Sequence, residues 1–183
     1  MSKTFLIGLT GYAGTGKDTV RDILQGEGFA GFAFADPIRA MLRELLTSNG
    51  IPECYMDERA LKESHIEQLG VSYRHMAQTL GTEWGRRLAD DFWLRIARAY
   101  LDDMQAQGET HFCVSDVRFV NEAQWVREQG GVIWRIERPQ ALPVRTHVSE
   151  AELYLFKADK TIDNSGSFDQ LADQVHAALE EFV

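Results

Sequence analysis

The chain has 183 residues, 44% hydrophobic and 26% charged, and its 28 Asp and Glu against 19 Lys and Arg leave a formal charge of −9. That balance suits one compact globular domain and excludes a disordered chain. No stretch clusters Lys and Arg, which excludes wrapping a nucleic acid by general phosphate neutralisation; any phosphate must be met locally.

Thr4 to Leu9 is a continuous apolar run closed by Thr10-Gly11, the pattern of a strand buried on both faces of a parallel sheet. A glycine-rich turn follows, and then Val20, Ile23 and Leu24 recur at helical spacing until Gly26 and Gly28. Phe29 to Phe34 fits a second strand. Asp36-Pro37 then offers a cap and a proline at the first helical position, ahead of an amphipathic stripe of Ile38, Met41, Leu42, Leu45 and Leu46. Asn49 to Gly70 has no sustained period and reads as a surface insertion with one short helix. Ser72 caps a helix that Gly81 ends, and Asp90 or Asp91 caps a longer one with Trp93, Ile96, Ala97, Tyr100, Leu101 and Met104 on its buried face.

Phe112 to Ser115 is a third strand ending at Asp116, Asn121 to Gln129 a helix, and Val132 to Ile136 a fourth strand. Arg138 to Ala158 is an excursion before a last strand at Lys160 to Ile162. Ser167-x-x-Gln170 is a capping box for a final helix. Strands alternating with helices predict a three-layer α/β sandwich with a mainly parallel sheet, whose ligands collect at the carboxyl ends of the strands. Cys54 and Cys113 match no metal or disulfide spacing, which suits a reducing cytoplasm. The N-terminus lacks the shape of a signal peptide, and no run approaches the roughly 18 apolar residues that span a bilayer.

Gly11-Tyr12-Ala13-Gly14-Thr15-Gly16-Lys17 satisfies G-x-x-x-x-G-K between a strand and a helix, the context that a phosphate loop requires. Its glycines let successive N–H groups face one anion, the helix N-terminus adds its dipole, and Lys17 brings a movable charge to the transferred phosphate. Asp18 stands where a magnesium-binding Ser or Thr is usual, and Thr19 follows, so Thr19, Asp18 through water and Asp116 are all candidate magnesium ligands. Asp116-Val117-Arg118 ends a strand where such proteins keep a carboxylate for magnesium or substrate.

Asp36 reads first as a helix cap, and Arg39 lies near the start of the same helix, within reach of a bound phosphate. Arg74 and Gln78 share a helix face and suit a monophosphate and a base edge, while Trp84 or Trp93 could stack on the base; Trp93 equally begins the buried stripe. His147 and Glu150 fall in the late excursion with Arg138 and Arg145, and arginines on a flap suit phosphoryl transfer.

These segments together resemble the deoxynucleoside monophosphate kinase family of tailed bacteriophages, with adenylate and dephospho-coenzyme A kinases as more distant kin. The likeness rests on Gly11 to Thr19, Phe34-Ala35-Asp36-Pro37-Ile38-Arg39, Arg74 with Gln78-Thr79-Leu80-Gly81-Thr82, and Phe92-Trp93. It continues through Asp116-Val117-Arg118-Phe119 with Asn121-Glu122-Ala123, Arg138-Pro139, His147-Val148-Ser149-Glu150 and Asn164-Ser165-Gly166-Ser167.

The resemblance implies a phosphate-loop kinase fold with a five-stranded sheet in order 2-3-1-4-5, in one domain over residues 1–183. It places an acceptor-binding insertion at about 49–90 and a lid at about 138–158. It implies transfer of the γ-phosphoryl of ATP, with magnesium, to a deoxynucleoside 5′-monophosphate, a 5-hydroxymethyl pyrimidine being one candidate acceptor. Gly11, Ala13 and Gly14 to Thr19 would hold the donor phosphates, and Asn164 and Gly166 the donor base. Arg39, Arg74 and Arg118 would meet the acceptor phosphate, with Asp36, Gln78, Gly81, Thr82, Trp93, Glu122, His147 and Glu150 around the acceptor and Arg138 and Arg145 on the lid. The partners are small molecules, not a nucleic acid or a membrane, and a homodimer is admitted. Another small-acceptor kinase, acting on dephospho-coenzyme A or phosphomevalonate, is the near alternative, and an ATP-driven switch protein the distant one.

Overall fold

The computed structural model describes residues 4–139 and 152–182. The chain forms two compact units, Met1–Ala33 with Arg98–Val183, and Phe34–Ala97. The main helices are, in chain order, α1 (Lys17–Gly26), α2 (Asp36–Ser48), α3 (Tyr73–Gln78), α4 (Phe92–Ala106), α5 (Val120–Glu128) and α6 (Phe168–Phe182). None among the described residues is long and apolar enough to cross a membrane.

The first unit is built on a five-stranded sheet of β1 (Phe5–Thr10), β2 (Ala30–Phe32), β3 (His111–Val114), β4 (Val132–Glu137) and β5 (Lys160–Asp163). The order is β2-β3-β1-β4-β5 and each pairing is parallel, as expected of this fold. On one face Ile7 and Leu9 of β1, Trp134 and Ile136 of β4 and Ile162 of β5 pack with Val20 and Leu24 of α1 and Leu171, Val175 and Ala178 of α6. On the other face Gly8 leaves room for Ile133, Val117 and the α5 residue Val126. Both sheet faces are therefore covered, which is why the β1 residues Leu6, Ile7 and Leu9 read as a continuous apolar run and not as an alternation. β2 is shorter than the expected Phe29 to Phe34, because the chain already turns at Phe34-Ala35 into α2.

Cys113 in β3 is fully buried, and burial pushes its thiol far up, whereas Cys54 is half-buried. A thiol reagent applied to the native protein should therefore titrate Cys54 alone and reach Cys113 only after denaturation. Fast modification of both thiols in the folded state would contradict this packing.

The second unit has its own core, made by Ile38, Leu42 and Leu46 of α2 with Ile51, Met56, Ile66, Tyr73 and Trp93. The insertion expected at about 49–90 lies within this unit. Its first part holds more structure than the single short helix expected: helices Cys54–Asp57 and Arg59–Glu63, then an antiparallel ribbon of His65–Ile66 with Val71–Ser72. Elements this short cannot establish a period, so only tertiary burial of Met56 and Ile66 marks them.

Ser72 does cap α3, its Oγ accepting the His75 N–H at 3.2 Å. Gly81 does not end the helix. The backbone instead widens into a π-helical segment, Thr79–Gly85, and continues through Arg86–Leu88. The Trp93 indole explains this, since its N–H donates to the Gly81 carbonyl at 2.7 Å and its ring occupies the space that a Cβ on Gly85 would need. The Asp36 cap is also corrected: Ala35 takes the cap position and Asp36 is the first helical residue.

Candidate active site

The phosphate loop leaves β1 at Gly11 and enters α1 at Lys17, curled through positive φ at Gly11, Gly14 and Gly16. A Cβ on Gly11 would strike the Ile136 carbonyl, and one on Gly16 would strike the Asn164 amide, so the backbone lies close to both strand ends. Inside the loop the Thr15 hydroxyl donates to the Tyr12 carbonyl at 3.0 Å. Lys17 Nζ donates to the Gly11 and Tyr12 carbonyls at 2.8 and 2.7 Å, which parks the ammonium across the loop mouth. Asp18 is well exposed and pairs with Arg21 at 3.5 Å, directed along the helix surface, while Thr19 is half-buried.

Asn164, expected at the donor base, spends its amide differently. Its Nδ2 donates to the Thr15 carbonyl at 2.8 Å and its backbone N–H to the Glu137 carbonyl at 2.7 Å, so it ties the loop after β5 to the phosphate loop. Gly166 lies against Gln170 in the capping box, which forms as expected: the Ser167 N–H donates to Gln170 Oε1 at 2.9 Å, and the Gln170 N–H to Ser167 Oγ at 3.3 Å.

Asp116 is buried just past β3, and the Val117 N–H that follows it donates to the Leu9 carbonyl of β1 at 3.0 Å. Arg118 is half-buried. Glu122 supports the backbone here, its Oε2 accepting the Arg118 and Phe119 N–H groups at 2.8 and 3.1 Å from a site only 4% exposed. A carboxylate at the start of α5 suits the helix dipole and holds the turn that presents Asp116 and Arg118.

Beside the loop lies a cavity of about 440 Å³, lined by Gly11, Tyr12, Thr15, Arg135, Glu137, Arg138, Tyr154 and Asp163 among others. Arg138 is exposed at the end of β4. Arg145, His147 and Glu150 lie outside the described residues.

Within the second unit Asp36, Arg39, Arg74, Gln78, Gly81 and Thr82 come from α2, α3 and the π-helical segment. Arg39 pairs with Asp36 at 3.1 Å, Arg43 with Glu53 at 3.1 Å, and Arg74 with Glu63. Burial raises the pKa of the Tyr73 hydroxyl, against the opposing pull of the Arg39, Arg43 and Arg74 charges. Gln78 and Thr82 are half-buried. Trp93 is 4% exposed with its N–H committed to Gly81, which makes it core and not a stacking surface; Trp84 is 44% exposed and lies edge-on to Phe92.

A family model described as deoxynucleotide monophosphate kinase matches residues 55–175. The chain belongs to that family. It is 30% identical over 186 residues to a protein of Acanthamoeba polyphaga mimivirus assigned provisionally as a deoxynucleotide monophosphate kinase, with 96% of each chain covered. It is also 30% identical over 111 residues to the deoxynucleotide monophosphate kinase of Enterobacteria phage T4, covering 60% of this chain and 46% of that longer protein. Among solved structures, shikimate kinase from Aquifex aeolicus superposes with a TM-score of 0.52 at 12% identity over 96% of both chains, a likeness of fold.

For this deoxynucleotide monophosphate kinase family member, several contacts around the site have no counterpart in the motif pattern. Arg135, Tyr154 and Tyr12 stand together in the first unit, and in the second unit Arg43 pairs with Glu53. One signal was available for Arg135, a lone charge among the apolar residues Val132 to Ile136 of β4. Tyr12 occupies a position where the phosphate-loop pattern accepts any residue, so spacing says nothing about its side chain.

Proposed function

We propose that the chain transfers the γ-phosphoryl group of ATP to a deoxynucleoside 5′-monophosphate, giving the diphosphate and ADP. The observation that carries this reading is the phosphate loop, three positive-φ glycines with Lys17 drawn across its mouth, in a chain of this family. The curled N–H groups fit a phosphate, and Lys17 can exchange its two carbonyl contacts for phosphate oxygens. A magnesium ion, held mostly by the nucleotide phosphates and water, would accompany the donor. Thr19 and Asp116 are its best protein contacts, and Asp18, turned to Arg21, the least suited. Bound magnesium would neutralise charge on the donor phosphates.

The acceptor needs no general base, because its phosphate is already ionised. An acceptor phosphate oxygen attacks the γ-phosphorus while the bond to the bridging oxygen breaks, and ADP leaves. Positioning and charge neutralisation carry the rate. The second unit supplies the acceptor side, with Arg39 and Arg74 for the phosphate, Gln78 and Thr82 for the base edge and Trp84 for stacking; Arg118 and Arg138 add charge in the first unit. The early part of the excursion of about 138–158 supplies a lid, while residues 152–156 are held to the first unit. A modified pyrimidine such as a 5-hydroxymethyl deoxynucleotide is within the acceptor class. The phage and giant-virus relatives support action on nucleotide pools in a host cytoplasm.

The test is ADP formation from ATP and magnesium with deoxynucleoside and ribonucleoside monophosphates, their hydroxymethyl forms and dephospho-coenzyme A, each alone. Stimulation by one or a few deoxynucleotides is expected; ATP binding with no stimulation by any acceptor returns the chain to a switch role. Asp116→Asn should lower the magnesium-dependent rate by roughly tenfold to a hundredfold with little change in ATP affinity. An unchanged rate across a magnesium titration would leave Asp116 structural.

A further inference from the structure

Residues 152–156 are tied to three parts of the first unit, and the phosphoryl-transfer reading uses none of these ties. Glu152 Oε2 accepts the N–H of Val120 at 3.1 Å, at the start of α5 and just after the Asp116-Val117-Arg118 turn. Arg135, which sits in register with Thr10 at the end of β1, donates through one guanidinium nitrogen to the carbonyls of Leu153 and Phe156 at 2.7 and 3.1 Å. Leu153 and Phe156 are themselves buried. The segment is thus fixed by burial and by three hydrogen bonds.

What it presents is the Tyr154 ring, 55% exposed, with the Arg135 guanidinium 4.6 Å from its centroid. A cation over an aromatic face and a second ring at stacking range each hold such a side chain in place. The second ring is that of Tyr12, 5.7 Å away centroid to centroid and tilted by 53°. Tyr12 is the second residue of the phosphate loop, and its carbonyl accepts both the Thr15 hydroxyl and Lys17 Nζ. The contact therefore bears on the peptide that sets the loop's internal hydrogen bonds.

We propose that Tyr154 is a positioning residue for the phosphate loop: clamped by Arg135 and Glu152, its ring braces Tyr12 and holds the loop in its phosphate-ready curl before the nucleotide arrives. A loop ordered in advance loses less freedom on binding, so the brace acts on donor affinity and not on the bond-breaking step. The inference rests on the reading of this loop as the ATP site.

Calorimetric titration of the full chain with ATP and magnesium tests it, using the natural protein, Tyr154→Phe, Tyr154→Ala, Tyr12→Ala and the double alanine variant. Removing the ring pair should weaken ATP binding by about fivefold in either alanine variant, while Tyr154→Phe, which keeps the ring and loses only the hydroxyl contact with Tyr12, should lose less than either. The double variant should bind like the weaker single one, because both substitutions remove the same contact. Melting without nucleotide should stay within a few degrees of the natural protein, since Tyr154 is exposed. Natural affinity in Tyr154→Ala, or two losses that add in the double variant, overturns the proposal. If Tyr154→Ala melts early, the Tyr12→Ala titration alone decides it on the same criterion. A natural protein with no affinity for ATP sinks the donor-site reading itself, whereas affinity that is insensitive to both rings sinks only the brace.

Discussion

Lys17→Ala is expected to lower turnover by roughly a hundredfold to a thousandfold while the protein stays folded. In the loop the ammonium donates to the Gly11 and Tyr12 carbonyls, at 2.8 and 2.7 Å, and both are half-exposed positions. Losing those contacts costs the fold on the order of 1–2 kcal/mol, because water can take the place of the ammonium at each carbonyl. In the proposed transfer the same ammonium would meet charge that develops between the two nucleotides, which the backbone N–H groups of the loop alone would not neutralise. Single-turnover rates at saturating ATP and acceptor isolate the chemical step, and a melting curve isolates the fold. A variant that keeps most of its rate would remove the kinase assignment.

Trp93→Ala should destabilise the second unit by about 3–5 kcal/mol in urea unfolding. The ring is 4% exposed, packs edge-on against Phe92 at 4.8 Å, fills the space over Gly85 and donates to the Gly81 carbonyl at 2.7 Å. Truncation opens a cavity and strands a carbonyl within the π-helical segment. Trp84→Ala, nine residues earlier and 44% exposed, should cost only about 1 kcal/mol and should instead raise the acceptor KM. If Trp93→Ala proved mild in stability and severe in acceptor KM, the two tryptophans would have exchanged roles.

The contrast between these tryptophans shows how far local pattern reaches. Both are aromatic, both border the same helical region, and helical spacing put Trp93 on a buried face while leaving it a candidate for stacking. The decision came from Gly85 and Gly81, which no periodicity connects to Trp93. Asn164 and Glu122 follow the same logic. Their positions past a strand end and at a helix start were legible, but the Asn164 amide is spent on the Thr15 carbonyl and the Glu122 carboxylate on two backbone N–H groups. Each became a support of the site. The extended helix beyond Gly81 was illegible for a related reason: glycine permits a helix stop without requiring one, and the indole that widens this helix arrives from another element.

By itself the sequence determined the phosphate loop, the capping residues Ser72 and Ser167, the alternation of buried strands and amphipathic helices and, through the ordered motifs, the family. These are local properties, set by backbone sterics, spacing and the side-chain period of each element. Only the tertiary structure decided how polar groups such as the Asn164 amide and the Glu122 carboxylate are spent, and it brought together Arg135, Tyr154 and Tyr12 within the first unit. A side chain's hydrogen-bonding capacity is taken by whichever partner the folded chain brings into reach, and residues far apart in sequence meet only after the core has been buried.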